Sequence, residues 1–353
     1  MKNNSLQNRS IYHDLLRILA SFAVICIHVC AGSATWAKHQ FNTPIWTYLN
    51  LFNSLSRFAV PVFVMLSGSF MIEKYEEGSL KKLYSKNIFR LICSFVFWSA
   101  VYVAFTIFRN LILQNPLNIK ELIYQFIHGY GHLWFVPMLI FLYAITPFLK
   151  ELCNNKNNIH YFFLLACIPI IYNFVDYYIT IIPLVKLFDN AGFQFVSGYT
   201  ILYILGYYLT KYDVQKIVRV LIYFFALISI TATVLVSHWH YNSGHTAQNY
   251  VYEYLSPTVL VVSIAIFLLF KYEFSKIRFK ECTQKFIVKL SSLTFGVYLS
   301  HMVFVEVVSK TPLTAENVHP VISVPLIVFI VFILGTLTTL VISKIPILKK
   351  YII

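Results

Sequence analysis

Apolar runs of about twenty residues recur from one end of this sequence to the other, and nothing else in it limits the fold as strongly. Ten can be read, at roughly 14–34, 50–72, 88–109, 132–149, 159–176, 195–210, 217–237, 252–270, 286–308 and 320–343. As a helix rising 1.5 Å per residue, such a run crosses the ~30 Å hydrocarbon core of a bilayer; it is far too long for a barrel strand. In lipid each run must satisfy its own backbone hydrogen bonds, which leaves the α-helix. Charged residues make up only 12% of the 353, against about 25% in soluble domains. The expected fold is therefore an all-α integral membrane protein, a bundle of about ten transmembrane helices forming one domain over residues 1–353, with no separate soluble domain. Pro61, Pro137, Pro169, Gly206 and Gly296 fall inside runs, where neighbouring helices can tolerate them.

Net charge is +14, but the basic residues are scattered over short loops rather than gathered on one face, which excludes a nucleic-acid partner. With both termini cytosolic, the outer loops carry only Lys38, Arg109, Lys120, Lys186 and Lys310. Arg17 and Arg57 fall within spans, and every other one of the 28 lysines and arginines lies on the inner side. That is a strong positive-inside bias. The inner loop from Lys271 to Lys289 reads as a topology determinant that also meets anionic membrane lipid. The N-terminus, with Lys2, Arg9 and then Ala31 to Ala34, imitates a signal peptide. Its apolar part is too long for one, so the first span is expected to be retained. The six cysteines show no metal-ligand or pairing pattern and read as free thiols.

The first span holds the densest set of ionisable groups: Asp14, Arg17 and His28. Eleven positions separate Arg17 from His28, about 20° beyond three full turns, so both point along one face, about 16 Å apart on the axis. Asp14 is three residues before Arg17 and can pair with it. An ionisable group within a span costs about 2.5–3.5 kcal/mol on insertion scales and is a functional candidate by default. An interfacial Asp14–Arg17 pair with a hydrogen-bonded interior histidine is the competing reading.

In the antiparallel second span, Arg57 comes to nearly the depth of His28 and contact between them is expected. His301 and Glu306 on the ninth span, and His132 and Trp134 opening the fourth, fall in the same outer layer. Trp134 also suits an interfacial anchor. His238, His240 and His245 make a His-rich outer loop, too irregular in spacing for a metal site; no metal ligand set is expected.

A neutral histidine accepts a proton from a hydroxyl. A guanidinium stabilises charge as it develops on an acyl oxygen. A second guanidinium nearer the cytosol suits the phosphates of an anionic donor. The gap between Arg17 and His28 is comparable to an extended pantetheine arm. Together these indicate acyl transfer from cytosolic acyl-CoA, with His28 as base and Arg57 as oxyanion partner.

The Arg17–His28 pair, with ten residues between, resembles the signature of the membrane acyltransferase-3 family. Asp14-Leu-Leu-Arg17 resembles the start of its first helix, and Ser56-Arg57-Phe-Ala-Val-Pro61-Val-Phe-Val-Met-Leu-Ser67-Gly68 its second span. His132-Leu-Trp134-Phe resembles the fourth, and Phe295-Gly296-Val-Tyr298-Leu-Ser-His301 the late helix that ends in Tyr-x-x-His. The combined pattern is similar to the enterobacterial-common-antigen O-acetyltransferase branch. The resemblance implies O-acetylation of a cell-envelope glycan or lipid-linked saccharide at a bacterial inner membrane, with acetyl-CoA as co-substrate and no permanently bound cofactor. Some members carry a C-terminal esterase-like domain, which is not expected here. On this reading Arg17, Lys86 and Arg90 hold the donor's phosphates. His301, His132, Trp134, Glu306 and Tyr298 orient the acceptor. The rival is a transporter or exporter of a polysaccharide or lipid-linked glycan, which would move its cargo without consuming acetyl-CoA.

Overall fold

The structure is a computed structural model that describes residues 10–31, 43–75, 79–179, 198–242, 250–315 and 317–352, without the side chains of 173–179 and 242. The leader-like stretches around Lys2, Arg9 and Ser33, the loop lysines Lys38 and Lys186, and His245 lie outside the described residues. The described residues are mostly helical, with no strand among them.

In order the helices are α1 (Ile11–Ala31), α2 (Pro44–Ser56), α3 (Ala59–Lys74), α4 (Phe89–Ile112), α5 (Ile119–His128), α6 (Phe135–Ala144), α7 (Thr146–Cys153), α8 (Lys156–Ile179), α9 (Tyr199–Lys211), α10 (Lys216–Asn242), α11 (Pro257–Tyr272), α12 (Glu281–Val308), α13 (Pro320–Ile342) and α14 (Pro346–Tyr351). Each apolar run coincides with a helix or a helix pair. Among the described residues, seven segments are long and apolar enough to cross a membrane, or eight if the bent pair α6–α7 counts as one span. α9 has 13 described helical residues, about 20 Å at 1.5 Å each and short of a full crossing. α8 opens on the polar run Lys156 to His160 and is outside the set. Apolar side chains left exposed on α10 (Phe224, Phe225, Leu227, Leu235) and α13 (Phe329, Leu337, Val341) form the lipid face of a multi-pass membrane protein.

Two spans are interrupted, each at a proline. In the second, α2 stops at Ser56 and α3 begins at Ala59. Pro61 lacks the N–H that would bond the Arg57 carbonyl, and its ring crowds that oxygen. In the fourth, Pro147 opens α7, and the α6 and α7 axes differ by 58°.

The apolar reading passed over α5. Ile119, Leu122, Ile123 and Phe126 face Ala100, Val103, Ala104 and Ile107 of α4 across an open apolar groove, with Asn118 capping the first turn through Lys120 N–H at 3.1 Å. Ten residues of this pattern suit the membrane interface rather than a crossing. α5 ends at Gly129 with φ +79°, where Phe95 and Leu133 leave no room for a Cβ. The chain there turns inward and delivers His132 and Leu133 to the core.

α1 is the axis of the bundle, packed by α2, α3, α11, α12 and α13. α12 runs parallel to it, so their C-terminal ends meet at one end of the molecule. The closest helix pair is α3 with α9. There Gly68 lies on the carbonyl of Tyr203 and Gly206 on the carbonyl of Met65; a Cβ at either would overlap that oxygen. Small residues let membrane helices approach closely and gain dispersion contacts where no hydrophobic effect operates between them.

Candidate functional site

Three imidazoles converge at the end of the bundle where α1 and α12 terminate. His28 comes from α1, His301 from α12, and His132 from the loop between α5 and α6. Ring centroids are 5.1 Å apart for His28 and His301, 4.8 Å for His132 and His301, and 6.2 Å for His28 and His132. His132 and His301 are buried, while His28 keeps a partly open face.

Backbone carbonyls fix the ring states. His301 Nδ1 is 2.6 Å from the Tyr298 carbonyl, so Nδ1–H donates and Nε2 holds the lone pair. Tyr102 on α4 donates its hydroxyl to the Leu299 carbonyl at 2.9 Å. His132 Nε2, 3.4 Å from both that hydroxyl and that carbonyl, can only donate, leaving its Nδ1 as the acceptor. The Tyr298 hydroxyl donates to the His132 carbonyl and pins the loop. His301 Nε2 and His132 Nδ1 are both buried with no hydrogen-bond partner. A buried polar atom left so costs about 1–3 kcal/mol, and such atoms mark places where a ligand or water belongs.

Arg57 occupies the break in the second span. Its guanidinium donates to the Tyr252 carbonyl at 3.2 Å and lies 4.5 Å from the Tyr252 ring and 5.9 Å from the Tyr254 ring. It is within electrostatic range of His28, although the nearest rings to His28 are the other two histidines. The expected proximity of Arg57 and His28 is thus accompanied by a cation–π seat: α2 ends at Ser56, and the Arg57 guanidinium rests against residues 252–254. One turn away, Asn53 is fully buried with both amide atoms unpartnered. Asn50 takes hydrogen bonds from Ser54, Ser237 and Tyr252, and donates to the Val234 carbonyl at 3.1 Å.

A cavity of about 250 Å³ opens at the other end of α1, lined by Arg17, Arg90, Ser67, Tyr143, Thr294, Phe295, Phe135 and Tyr298 among others. Arg17 lies 5.2 Å from the Phe70 ring and Arg90 5.9 Å from that of Phe295. The inner wall is Phe135 with Tyr298, their rings 5.3 Å apart, and the Tyr298 ring is 5.5 Å from that of His132. One layer of aromatic side chains therefore separates the cavity from the imidazoles.

Of the residues singled out from the sequence, His28, His132, His301 and Tyr298 are brought together, and Arg17 with Arg90 line the cavity. Asp14 is buried on α1 beside Arg17. Lys86 is exposed on the π-helical turn before α4, outside the cavity wall. Glu306 is ion-paired with Arg109 of α4 at 2.8 Å. Trp134 packs at the rim between Tyr199 and Tyr254. Sequence reasoning missed Tyr102, Tyr252 and Tyr254, which nothing distinguishes among 25 tyrosines. It also missed Asn50 and Asn53, which the polar stripe Asn50, Asn53, Ser54, Arg57 on an apolar span would have shown. Among the described residues no group of three His, Cys, Asp or Glu side chains is arranged to hold a metal ion. The six cysteines are free.

Comparison with known proteins returned no match among curated proteins and none among solved structures. A family model described as an acyltransferase domain matches residues 10–344, nearly the whole chain, including all three histidines and both cavity arginines. The chain belongs to the acyltransferase-3 family, and the activity that membership implies is acyl transfer by a membrane-embedded enzyme.

Proposed function

We propose that the protein moves an acetyl or other short acyl group from cytosolic acyl-CoA to a hydroxyl of a cell-envelope carbohydrate, within a bacterial inner membrane. One observation carries this reading: the cavity that begins between Arg17 and Arg90 ends on Tyr298, and the far side of Tyr298 is the imidazole cluster. On the loop charges we take the Arg17 end as the cytosolic one, where the donor is. Arg17 and Arg90 bind the donor's phosphates through their forked N–H groups. Lys86, at the surface, adds only long-range attraction. Asp14 orients Arg17. The pantetheine arm runs along the cavity, about 16 Å measured on α1 from Arg17 to His28, and the thioester passes Tyr298 to reach the histidines.

His28 takes the proton of the acceptor hydroxyl as that oxygen attacks the thioester carbon. Arg57 stabilises the oxyanion of the tetrahedral intermediate. The carbon–sulfur bond then breaks, the proton passes to the departing sulfur, and an ester and free CoA remain. His28 as a transient acyl carrier keeps the same balance over two steps. The lone pairs of His301 Nε2 and His132 Nδ1 accept hydrogen bonds from the acceptor. Glu306 and Trp134 border that side. That the acceptor is an envelope glycan goes beyond family membership and is part of the proposal.

The test is to incubate membranes containing the protein with labelled acetyl-CoA and candidate envelope glycans. Label in a glycan as an alkali-labile ester is expected. Glycan crossing the membrane with no acetyl-CoA consumed would establish the transporter instead.

A further inference from the structure

Arg57 rests on Tyr252 and Tyr254, and the same segment builds a second feature, around Trp134, on the acceptor side of the histidines. Trp134 is 37% exposed. Its ring lies nearly parallel to that of Tyr254, at 6.0 Å and 23°, and is flanked by Tyr199 at 5.4 Å. Tyr254 is also 5.9 Å from the Arg57 guanidinium and within electrostatic range of Tyr298. Glu253, half-buried between Tyr252 and Tyr254, sits in the field of Arg57. The result is an amphipathic shelf: partly open aromatic faces, phenolic hydroxyls and one carboxylate, two residues along the chain from His132. A lipid anchor would not need the carboxylate or the hydroxyls there, and an acyl chain would meet polar groups along its length. A pyranose fits both halves. Its C–H face stacks on an indole or phenol ring, and its edge hydroxyls donate to a carboxylate and exchange hydrogen bonds with tyrosines.

We propose that Trp134, Tyr199, Tyr254 and Glu253 form the sugar subsite, which seats one pyranose ring of the acceptor beside the histidine cluster, with Glu253 selecting its hydroxyl pattern. This rests on the acyl-transfer reading for its consequence in catalysis, but the binding itself does not.

The experiment uses the full-length protein in lipid nanodiscs and the methyl glycosides of glucose, galactose, mannose and N-acetylglucosamine as probes. Binding is read as saturable quenching of tryptophan fluorescence, and transfer as label moved from acetyl-CoA. The expected result is quenching by at least one glycoside that is lost in Trp134→Ala and Tyr254→Ala and retained in Trp134→Phe by a labelled-glycoside binding assay. In transfer, Trp134→Ala and Tyr254→Ala raise KM for the glycoside about tenfold or more and leave acetyl-CoA affinity within about twofold, whereas Glu253→Gln changes the ranking of the four glycosides. Transfer with an unchanged glycoside KM in both alanine variants overturns the subsite and leaves acyl transfer standing. Binding that depends on Trp134 without any transfer upholds the subsite and removes the acyl-transfer reading. Absence of saturable binding and of transfer with all four glycosides overturns the subsite as stated. Variants that no longer bind acetyl-CoA are replaced by Tyr199→Phe and Tyr254→Phe, whose loss of glycoside ranking is then the measure.

Discussion

The two ends of α1 face opposite problems. At the Arg17 end, two guanidiniums border an open cavity, each lying over an aromatic ring. At the His28 end, the rings are packed within 4.8–6.2 Å of one another and backbone carbonyls dictate which nitrogen of His132 and of His301 carries hydrogen. The first arrangement suits a ligand recognised by charge, which arrives from water and must leave again. The second suits a reaction, where donors and acceptors have to be in position before charge develops. One helix carrying both makes binding and chemistry separable along its length.

That separation predicts how substitutions divide. His28→Ala has the largest expected effect, a fall in kcat of about 100-fold or more, the usual range for loss of a general base, with protein still inserted and acetyl-CoA still bound. Turnover close to that of the unaltered protein would break the comparison at its chemical end. Arg57→Gln comes next, with a loss of about 100-fold in kcat and little change in KM, as for a missing oxyanion partner; a pure KM effect would move Arg57 to the binding side. Arg17→Ala is expected to raise KM for acyl-CoA about tenfold with kcat nearly kept. Steady-state titration with the donor reads it, and an unchanged KM would remove the cavity from the donor's route. Lys86→Ala, at the exposed turn, is expected to stay within about twofold in every parameter.

The helices were legible because every span had to be apolar for its full length, and α1 announced its chemistry because Arg17 and His28 are costly in lipid. The same cost made Arg57, His132 and His301 visible. What stayed hidden depended on neighbours distant in sequence. Tyr102 matters only because α4 places it against Leu299 and His132. Arg57 was legible as a neighbour in depth of His28, but its seat on Tyr252 was not, because that partner lies 195 residues along the chain. The span count was blurred by the short α9, by the polar opening of α8 and by the 58° bend at Ile145, since hydropathy measures length but not direction.

The interruption at Arg57 and Phe58 also has a mechanical side. The α2 half is tethered to α10 through Asn50, Val234 and Ser237, and the α3 half is locked to α9 through Gly68 and Gly206. Any slippage between those two partner helices is therefore taken up at a two-residue joint, and the cation sitting on that joint would feel it first.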